Sequence, residues 1–589
     1  MPPSVRAPAL VALLVLAISA TAAHADWLPS GTHVGGGRLQ YAPHVVPDDS
    51  GGAYIGWGSR MPETWVQRFT VDGNRAPGWA AYFSPPHQAG AMNVLTLIAP
   101  DHDGGVYVLS LITGERCMAH CYSEPGRFWV QRFTAAGTFA AGWPAQGVLV
   151  EQRYLPWPYP GITIAAEGKR GLVVAWSASR DSFRAQSISP EGQRRWGDDG
   201  LLVPRAGAEL TPPALIGDGQ GGLFAFWAGR TGPGQGAIIG QHVLESGELS
   251  WGAEGRVVSA PSGASAGFAP LSPMAVPDGA AGGSGAIVCW PGKRGADVRL
   301  FATRVTRGGG LPWRDDVPVC SAPGDKSRLS VVAAPSGGAL VAWVDSRRAY
   351  YGDVYIQRLT LGGRTLWADD GVHVGAASWR CYALAIAGDG AGGGYVTWND
   401  DRPDGMLFAK RLTSEGVTAA GWPEDGAVVC DRRACWVDTI FVAGLRDGGA
   451  ITAWEDVRHM PPDGVCGVEQ SFAMLLTPTG PAVAATGASV AGAPEAPVPA
   501  PGPRRVPAFG LAMSSPGAGV VLSLPDAAPA TLEVFDIAGR RLWSREVGGL
   551  GSGEHVVRLG DRASLPAGVY LARLVRGDRT ATARVIVIH

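Results

Sequence analysis

The residues of this chain whose types and spacing could do chemistry begin with a recurring Trp-x-Asp-x-Arg pattern. In its clearest copy Trp343 is followed by Asp345 and Arg347, and a paired acid and arginine could perform hydrolysis. A tryptophan followed three or four residues later by an arginine returns in almost every repeat, often with an acid between them, whereas catalytic groups are confined to one or two units. We therefore interpret it as a turn-stabilising ion pair and predict no catalytic residue. The structural positions predicted on this basis are Trp57, Trp343, Trp398, Trp454, Arg347, Arg402 and Arg458.

Two cysteines and a histidine form the second candidate group. Cys117, His120 and Cys121 are spaced so that they could ligate zinc, but the four ligands of a structural zinc site are not visible locally. Cysteines of exported proteins usually pair, which favours a local disulfide between Cys117 and Cys121. The same reasoning predicts a second local disulfide between Cys430 and Cys435. We predict neither a metal nor a cofactor.

An aromatic loop is the third candidate. Tyr154, Trp157 and Tyr159 alternate with prolines ahead of the third repeat. Their rings could stack on sugars, because Trp and Tyr combine flat apolar area with a polar handle. Proline-rich aromatic loops also serve simply to pack over a neighbouring sheet. These three residues are the ligand-binding candidates of the sequence.

A repeated β structure must position these groups. A tryptophan returns at a nearly fixed interval, which is the signature of a repeat architecture. Its copies are Trp27, Trp79, Trp143, Trp196, Trp251, Trp313, Trp367 and Trp422. Each repeat contains short apolar runs bounded by glycine pairs and other turn residues, without helical periodicity. The chain is therefore predicted to be all-β.

The two ends of the repeat array match each other. The last unit, 471–480, lacks the tryptophan segment that should follow it, and residues 27–34 match residues 367–374. The N-terminal segment is thus expected to complete the last repeat, and a ring closed in this way has no free sheet edge. We predict a closed β-propeller over residues 26–480 with eight blades. Seven blades are the alternative, because the second unit is irregular at Leu109.

The chain outside the repeats divides into three segments. Residues 1–25 contain a basic residue, an apolar run and a small-residue cleavage site, which predict a signal peptide and an exported protein. The Pro- and Ala-rich residues 481–505 predict a linker, and the alternating runs of residues 506–589 predict a small β-sandwich. A net charge of −2 argues against nucleic acid as a partner, and no segment of the mature chain is long enough to span a bilayer.

Three motifs carry resemblances to known families. The Gly-x-x-x-Trp element at Gly363 and Trp367 resembles the docking motif of eight-bladed pyrroloquinoline-quinone propellers, from which only the scaffold carries over. The repeats of 27–480 resemble a class of bacterial secreted repeat proteins. The segments 532–540 and 566–570 are similar to the C-terminal sorting domain of type IX secretion substrates and to the immunoglobulin-like module of flagellar hook-capping proteins. That resemblance implies export by the outer-membrane secretion machinery, with release or surface attachment.

The expected function follows from this context. The favoured expectation is a secreted or cell-surface, non-enzymatic propeller that presents loops to a protein or glycan, because the repeats are uniform and their acids evenly spread. The alternative is a polysaccharide-active hydrolase or lyase, which needs two or three acids converging at one mouth of the ring. A second alternative is a scaffold for outer-membrane or extracellular assembly.

Overall fold

The computed structural model divides the chain into two compact units, Met1–Thr486 and Gly487–His589, which are described separately. The structure describes residues 32–34, 40–59, 62–71, 74–77, 79, 81–87, 91–114, 125–153, 161–179, 181–205, 213–232, 235–259, 273–279, 285–294, 297–313, 316–348, 352–376, 381, 383–402, 405–430, 437–456, 470–482, 510–513, 519–526, 528–536, 540–550, 553–558 and 568–587. Among these residues no helix is long and apolar enough to cross a membrane.

The described strands of the first unit form eight antiparallel sheets, numbered here in chain order. Sheet 1 consists of Gln40–Pro47, Ala53–Ser59, Thr64–Phe69 and Ala81–Phe83, and sheet 2 of Met92–Pro100, Val106–Thr113, Gly126–Phe133 and Val148–Arg153. Sheet 3 consists of Ile162–Ala166, Leu172–Ser179, Ser182–Ile188 and Leu201–Pro204, and sheet 4 of Ala214–Gly217, Leu223–Gly232, Gln235–Val243 and Arg256–Ser259. Within sheet 3, a 3-10 turn covers Gly168–Arg170.

Sheets 5 to 8 repeat the same order of strands. Sheet 5 consists of Met274–Pro277, Gly285–Arg294, Asp297–Thr306 and Val317–Cys320, and sheet 6 of Lys326–Ala333, Ala339–Asp345, Asp353–Leu359 and Val372–Ala376. Sheet 7 consists of Leu384–Gly388, Gly394–Arg402, Gly405–Leu412 and Ala427–Cys430, and sheet 8 of Val437–Gly444, Ala450–Asp456, Gln470–Thr477, Thr32–His33 and Gly480–Pro481. The all-β prediction is confirmed, and this succession of sheets is consistent with a propeller.

The N-terminal strand belongs to the last sheet. Thr32 pairs with Ala473 and His33 with Phe472, and the Val34 N–H donates to the Ser471 carbonyl at 3.0 Å. The strand from the start of the chain therefore occupies the place that the fourth strand holds in the other sheets.

The core lies between neighbouring sheets. Every residue of the second strand of sheet 6, Ala339–Asp345, is buried, because both faces of that strand are covered. Trp343, Trp398 and Trp454 are fully buried, and Trp57 is 2% exposed. Removing their apolar surface from water supplies much of the stability of each sheet.

The tryptophans that set the repeat interval connect successive sheets. The indole N–H of Trp367 donates to the Ser414 carbonyl in the next sheet at 2.9 Å, and that of Trp143 donates to the Pro190 carbonyl at 2.8 Å. A side chain at Gly416, where φ is +77°, would meet the Trp367 ring at 2.6 Å. The glycine ahead of each tryptophan thus leaves room for the tryptophan of the preceding sheet.

The second unit contains two antiparallel sheets and a 3-10 turn. They consist of Gly510–Met513, Gly519–Leu524 and Gly553–Arg558; Arg541–Glu546, Thr531–Phe535, Gly568–Arg576 and Arg579–Val587; and the turn Gly548–Leu550. Leu522 from the first sheet and Leu532 and Leu574 from the second are buried in one shared core. Two sheets around one core form a sandwich.

Candidate functional site

The Trp-x-Asp-x-Arg pattern forms a buried polar cluster at the end of the second strand. In sheet 6 the Trp343 indole N–H donates to the Asp345 carboxylate at 2.8 Å, and Arg347 pairs with the same carboxylate oxygen. In sheet 8 the Trp454 indole N–H donates to Asp456 at 2.9 Å. In sheets 6 and 8 the aspartate thus holds the buried indole of the tryptophan two residues before it.

The other predicted site residues fall mostly outside the described part of the chain. This holds for the aromatic loop, for both cysteines of the first predicted disulfide, and for one cysteine of the second; these residues are Tyr154, Trp157, Tyr159, Cys117, Cys121 and Cys435. Arg458 and the side chain of Arg402 also lie outside it, and Cys430 is buried. Among described residues, no three His, Cys, Asp or Glu side chains converge as a metal site would require.

A different acid–arginine pair recurs at the turn between the first and second strands, called here the first turn. In sheet 1, Asp48 Oδ1 accepts the N–H groups of Ser50 at 2.8 Å and Gly52 at 2.7 Å, and Asp48 Oδ2 accepts from Arg68 Nε at 2.8 Å. The arginine comes from the third strand. The same acid–arginine pairing occurs at Asp101 and Arg132, Asp278 and Arg304, and Asp389 and Arg411.

The first turn of sheet 3 departs from this arrangement. Glu167 takes the place of the aspartate, and Ser187 takes the place of the arginine, because Ser187 pairs with Val173 as Arg68 pairs with Tyr54. Glu167 is only 2% exposed, and its carboxyl group reaches the next sheet, where Oε2 accepts the Gly221 N–H at 3.0 Å. A buried acid without its arginine is therefore directed at the first turn of sheet 4.

The first turn of sheet 4 also lacks the arginine. Asp218 Oδ1 accepts the N–H groups of Gln220 at 2.7 Å and Gly222 at 2.9 Å, as in the regular turns. Asp218 Oδ2 lies 2.9 Å from Nε2 of the buried His242, which replaces the arginine, and 3.1 Å from Nη1 of Arg307 in sheet 5. Both carboxylate oxygens of Asp218 therefore have partners, although the arginine of the third strand is absent.

These environments move the pKa values of the two acids in opposite directions. Burial raises the pKa of Glu167 to about 8, and the neighbouring Asp218 adds to this effect despite the N–H group of Gly221. Burial also acts to raise the pKa of Asp218, but hydrogen bonds from His242 and the backbone, with the charge of Arg307, lower it to about 2. At neutral pH Glu167 is a carboxylic acid and Asp218 a carboxylate, which is how acid and base roles are divided in many hydrolases.

The pair lines a pocket of about 460 Å³. The pocket spans the first turns of four successive sheets, with His102 from sheet 2, Glu167 and Lys169 from sheet 3, Asp218 from sheet 4 and Asp278 from sheet 5. Charged groups from separate turns therefore converge on one concave site of the first unit, which is the usual form of a binding or active site.

Sequence reasoning missed this pair. The signal was present, because the Gly-Gly that ends most first turns, such as Gly51-Gly52, is Arg170-Gly171 in sheet 3, and the arginines of the third strand give way to Ser187 and His242. Sheets 6 and 8 have Ala334 and Leu445 in place of the acid, whereas sheets 3 and 4 keep an acid and lose the arginine of the third strand.

No protein-family model and no curated protein matches the chain. Similar solved structures include a protein of unknown function from Dyadobacter fermentans that is 9% identical to this chain. The match covers 75% of this chain and 97% of that chain, with a TM-score of 0.29. The GH93 α-L-arabinofuranosidase of Fusarium graminearum is 11% identical, and the match covers 66% of this chain and 95% of that chain, with a TM-score of 0.29. The α-L-arabinanase of Penicillium chrysogenum, in complex with arabinobiose, is 10% identical, and the match covers 64% of this chain and 93% of that chain, with a TM-score of 0.28.

These neighbours correct one expectation. The expectation of a non-enzymatic binding propeller stands corrected: the similar structures include several glycoside hydrolases, the class that its alternative named. Identities near 10% and TM-scores below 0.5 establish nothing about a reaction or a substrate. The activity must be argued from the residues of the site itself.

Proposed function

We propose that this protein is a polysaccharide-active hydrolase whose acid and carboxylate are Glu167 and Asp218. The observation that carries the proposal is that Glu167 and Asp218 are first-turn acids whose third strand has no arginine opposite them. The regular first turns neutralise their acid with an arginine, as Asp389 and Arg411 do, whereas Glu167 has Ser187 in that place. Catalytic groups of a repeat protein are expected in one or two units, and this pair meets that condition.

Each residue of the pair has a defined task in this proposal. Glu167, protonated at working pH, donates its proton to the oxygen of the glycosidic bond as that bond breaks. A water molecule then forms the new bond to the ring carbon, and the proton that it loses returns to the carboxylate of Glu167. Asp218 remains ionised and stabilises the positive charge that develops on the sugar ring. His242 and Arg307 are positioning residues, since they hold Asp218 in the ionised form.

The experiment measures reducing sugar released by the full chain from a panel of polysaccharides. Glu167→Gln keeps the shape of the side chain but removes the proton, so we expect kcat to fall by at least 100-fold. Asp389→Asn alters the same turn in sheet 7, outside the residues that line the pocket, and should leave kcat within about twofold while lowering stability.

Two results would overturn the proposal. One is an unchanged rate in Glu167→Gln at a temperature at which both proteins are folded. The other is the absence of released sugar from every polysaccharide tested with the unaltered chain. Circular dichroism of each variant separates a loss of chemistry from a loss of fold.

We also infer that the eight sheets close into an eight-bladed ring. The first strand of sheet 1 contacts the first strands of both sheet 2 and sheet 8, and the first strands of the sheets between them contact in succession. The pairing of Thr32–His33 with Gln470–Thr477 supports closure by the N-terminal segment. Deletion of residues 26–34 should then lower the melting temperature by several degrees, and an unchanged value would favour an open array.

For export we propose the route that the sequence suggests. Residues 1–25 act as a signal peptide, and residues 506–589 act as the sorting domain for the outer-membrane secretion machinery. Deletion of residues 506–589 should retain the repeats in the periplasm of the native host. Normal appearance of the shortened chain outside the cell would exclude this role.

A further inference from the structure

The first turn of sheet 3 carries side chains that the other first turns lack. In the regular turns the fourth residue is a glycine with positive φ, such as Gly51 at +103° and Gly392 at +94°. Like the regular turns, sheet 3 has a positive φ at its second residue, Gly168, but its other positive φ lies at the fifth residue, Gly171, +117°. The turn forms a 3-10 turn and so accommodates Arg170 at the fourth position, next to Lys169. The turn that presents the unpaired acid therefore also presents two basic side chains.

The acids around the pocket do not cancel this positive charge. Asp278 is held by Arg304, whose Nε and Nη2 lie 2.9 and 2.8 Å from one carboxylate oxygen. Asp218 is similarly engaged by His242 and Arg307.

The rim of the pocket is basic. Arg170 Nη1 contacts Glu245 Oε2 at 2.8 Å, but Glu245 also binds Arg195 Nη1 at 3.1 Å, so two arginines share one carboxylate. Lys169 and Arg170 are both exposed and line the pocket. A ligand entering the pocket passes a local excess of positive charge, which attracts anions.

We propose that the pocket takes an acidic saccharide, whose carboxylate or sulfate group binds Lys169 and Arg170 while the glycosidic bond lies at Glu167 and Asp218. This inference rests on the proposed hydrolase function for the position of the sugar, but the recognition of the anionic group depends only on the basic turn. Ammonium and guanidinium groups bind carboxylates and sulfates through charge-assisted hydrogen bonds.

The test compares polysaccharides that share a backbone and differ in charge. Polygalacturonate is set against its fully methyl-esterified form, and dextran sulfate against dextran, so that the two pairs distinguish a carboxylate from a sulfate. Binding is measured by calorimetry with the full-length Glu167→Gln variant, which separates binding from turnover. We expect at least tenfold tighter binding of one charged form, lost in Lys169→Glu and weakened by added salt.

Arg364→Glu is the matched control, since Arg364 is exposed in sheet 6 outside the pocket lining and makes the same change of charge. Equal affinity for charged and neutral forms, or an equal loss in Lys169→Glu and Arg364→Glu, would overturn the inference. Release of sugar from neutral polysaccharides alone would overturn it while supporting the hydrolase. Selective binding of a charged form without release of sugar from any substrate would support the inference and overturn the hydrolase.

Discussion

The first turns of sheets 7 and 3 occupy the same place in the repeat and differ in one partner. In sheet 7 the Asp389 carboxylate caps its turn and pairs with Arg411 at 2.8 Å. In sheet 3 the third strand has Ser187 in place of that arginine, and the buried Glu167 meets Asp218 of the next turn instead. A turn acid with its arginine stabilises the turn, and the same acid without it is the proton donor of the function proposed above. Glu167 for the aspartate and Ser187 for the arginine are the two replacements that separate the acid of sheet 3 from that of sheet 7.

The structural side of this comparison is tested by Trp343→Ala, from which we expect the largest loss. The change removes a fully buried indole and its hydrogen bond to Asp345, so the free energy of unfolding should fall by about 3–5 kcal/mol. Urea unfolding measures it. Val417→Ala, at a side chain 58% exposed, should cost less than about 0.5 kcal/mol. An unchanged midpoint in Trp343→Ala would contradict the role of the repeated tryptophans.

The unpaired acid should show itself in the pH dependence of stability. The folded pKa of Glu167 is about 8 and its ordinary value is 4.5, so between these values the folded protein holds a proton that the unfolded chain has lost. The contribution of Glu167 to stability is therefore complete below pH 4.5 and is lost as the pH rises towards 8. The slope is about 1.4 kcal/mol per pH unit at most, or about 3 kcal/mol from pH 5 to 7.5.

Urea unfolding of the unaltered chain and of Glu167→Gln at several pH values isolates this term. The difference in free energy of unfolding between the two proteins should shift in favour of Glu167→Gln as the pH rises. Parallel curves would mean that Glu167 ionises normally, and the division of roles between Glu167 and Asp218 would then be wrong.

The paired acid should behave in the opposite way. Asp389→Asn leaves Arg411 without its carboxylate and weakens two hydrogen bonds to the turn, so stability should fall by about 2 kcal/mol at neutral pH. Thermal unfolding measures the change. Glu248→Gln, at an exposed carboxylate, is the matched control and should change stability by less than about 0.5 kcal/mol. Equal effects of the two variants would show that the regular ion pair does not stabilise the turn.

The smallest effect on stability is expected when the missing partner is restored. Ser187→Arg places a guanidinium where Arg68 and Arg132 stand in sheets 1 and 2, so Glu167 should ionise and pair with it. We expect a gain of about 1 kcal/mol at pH 8 and a loss of sugar release. Ser187→Gln supplies similar bulk without charge. The comparison fails if Ser187→Arg retains full activity with a normal pH profile.

Much of the fold was predictable from the sequence, because the information is local and repeated. The tryptophan interval and the glycine pairs predicted short strands in an all-β chain, and the match between residues 27–34 and 367–374 predicted where the N-terminal segment pairs. The exact partner of the recurring arginines was less accessible. Arg68 reaches Asp48 across two strands, and only the strand register brings these side chains together.

The sequence by itself determined the repeated β architecture, since period-two burial and turn chemistry act over a few residues and recur in each unit. The tertiary structure alone decided the candidate site. Glu167 and Asp218 belong to turns of different sheets, and they face each other only because neighbouring sheets pack through their first strands. The unusual protonation of Glu167 arises from that contact, because burial and the adjacent carboxylate are properties of the packed sheets and not of either turn.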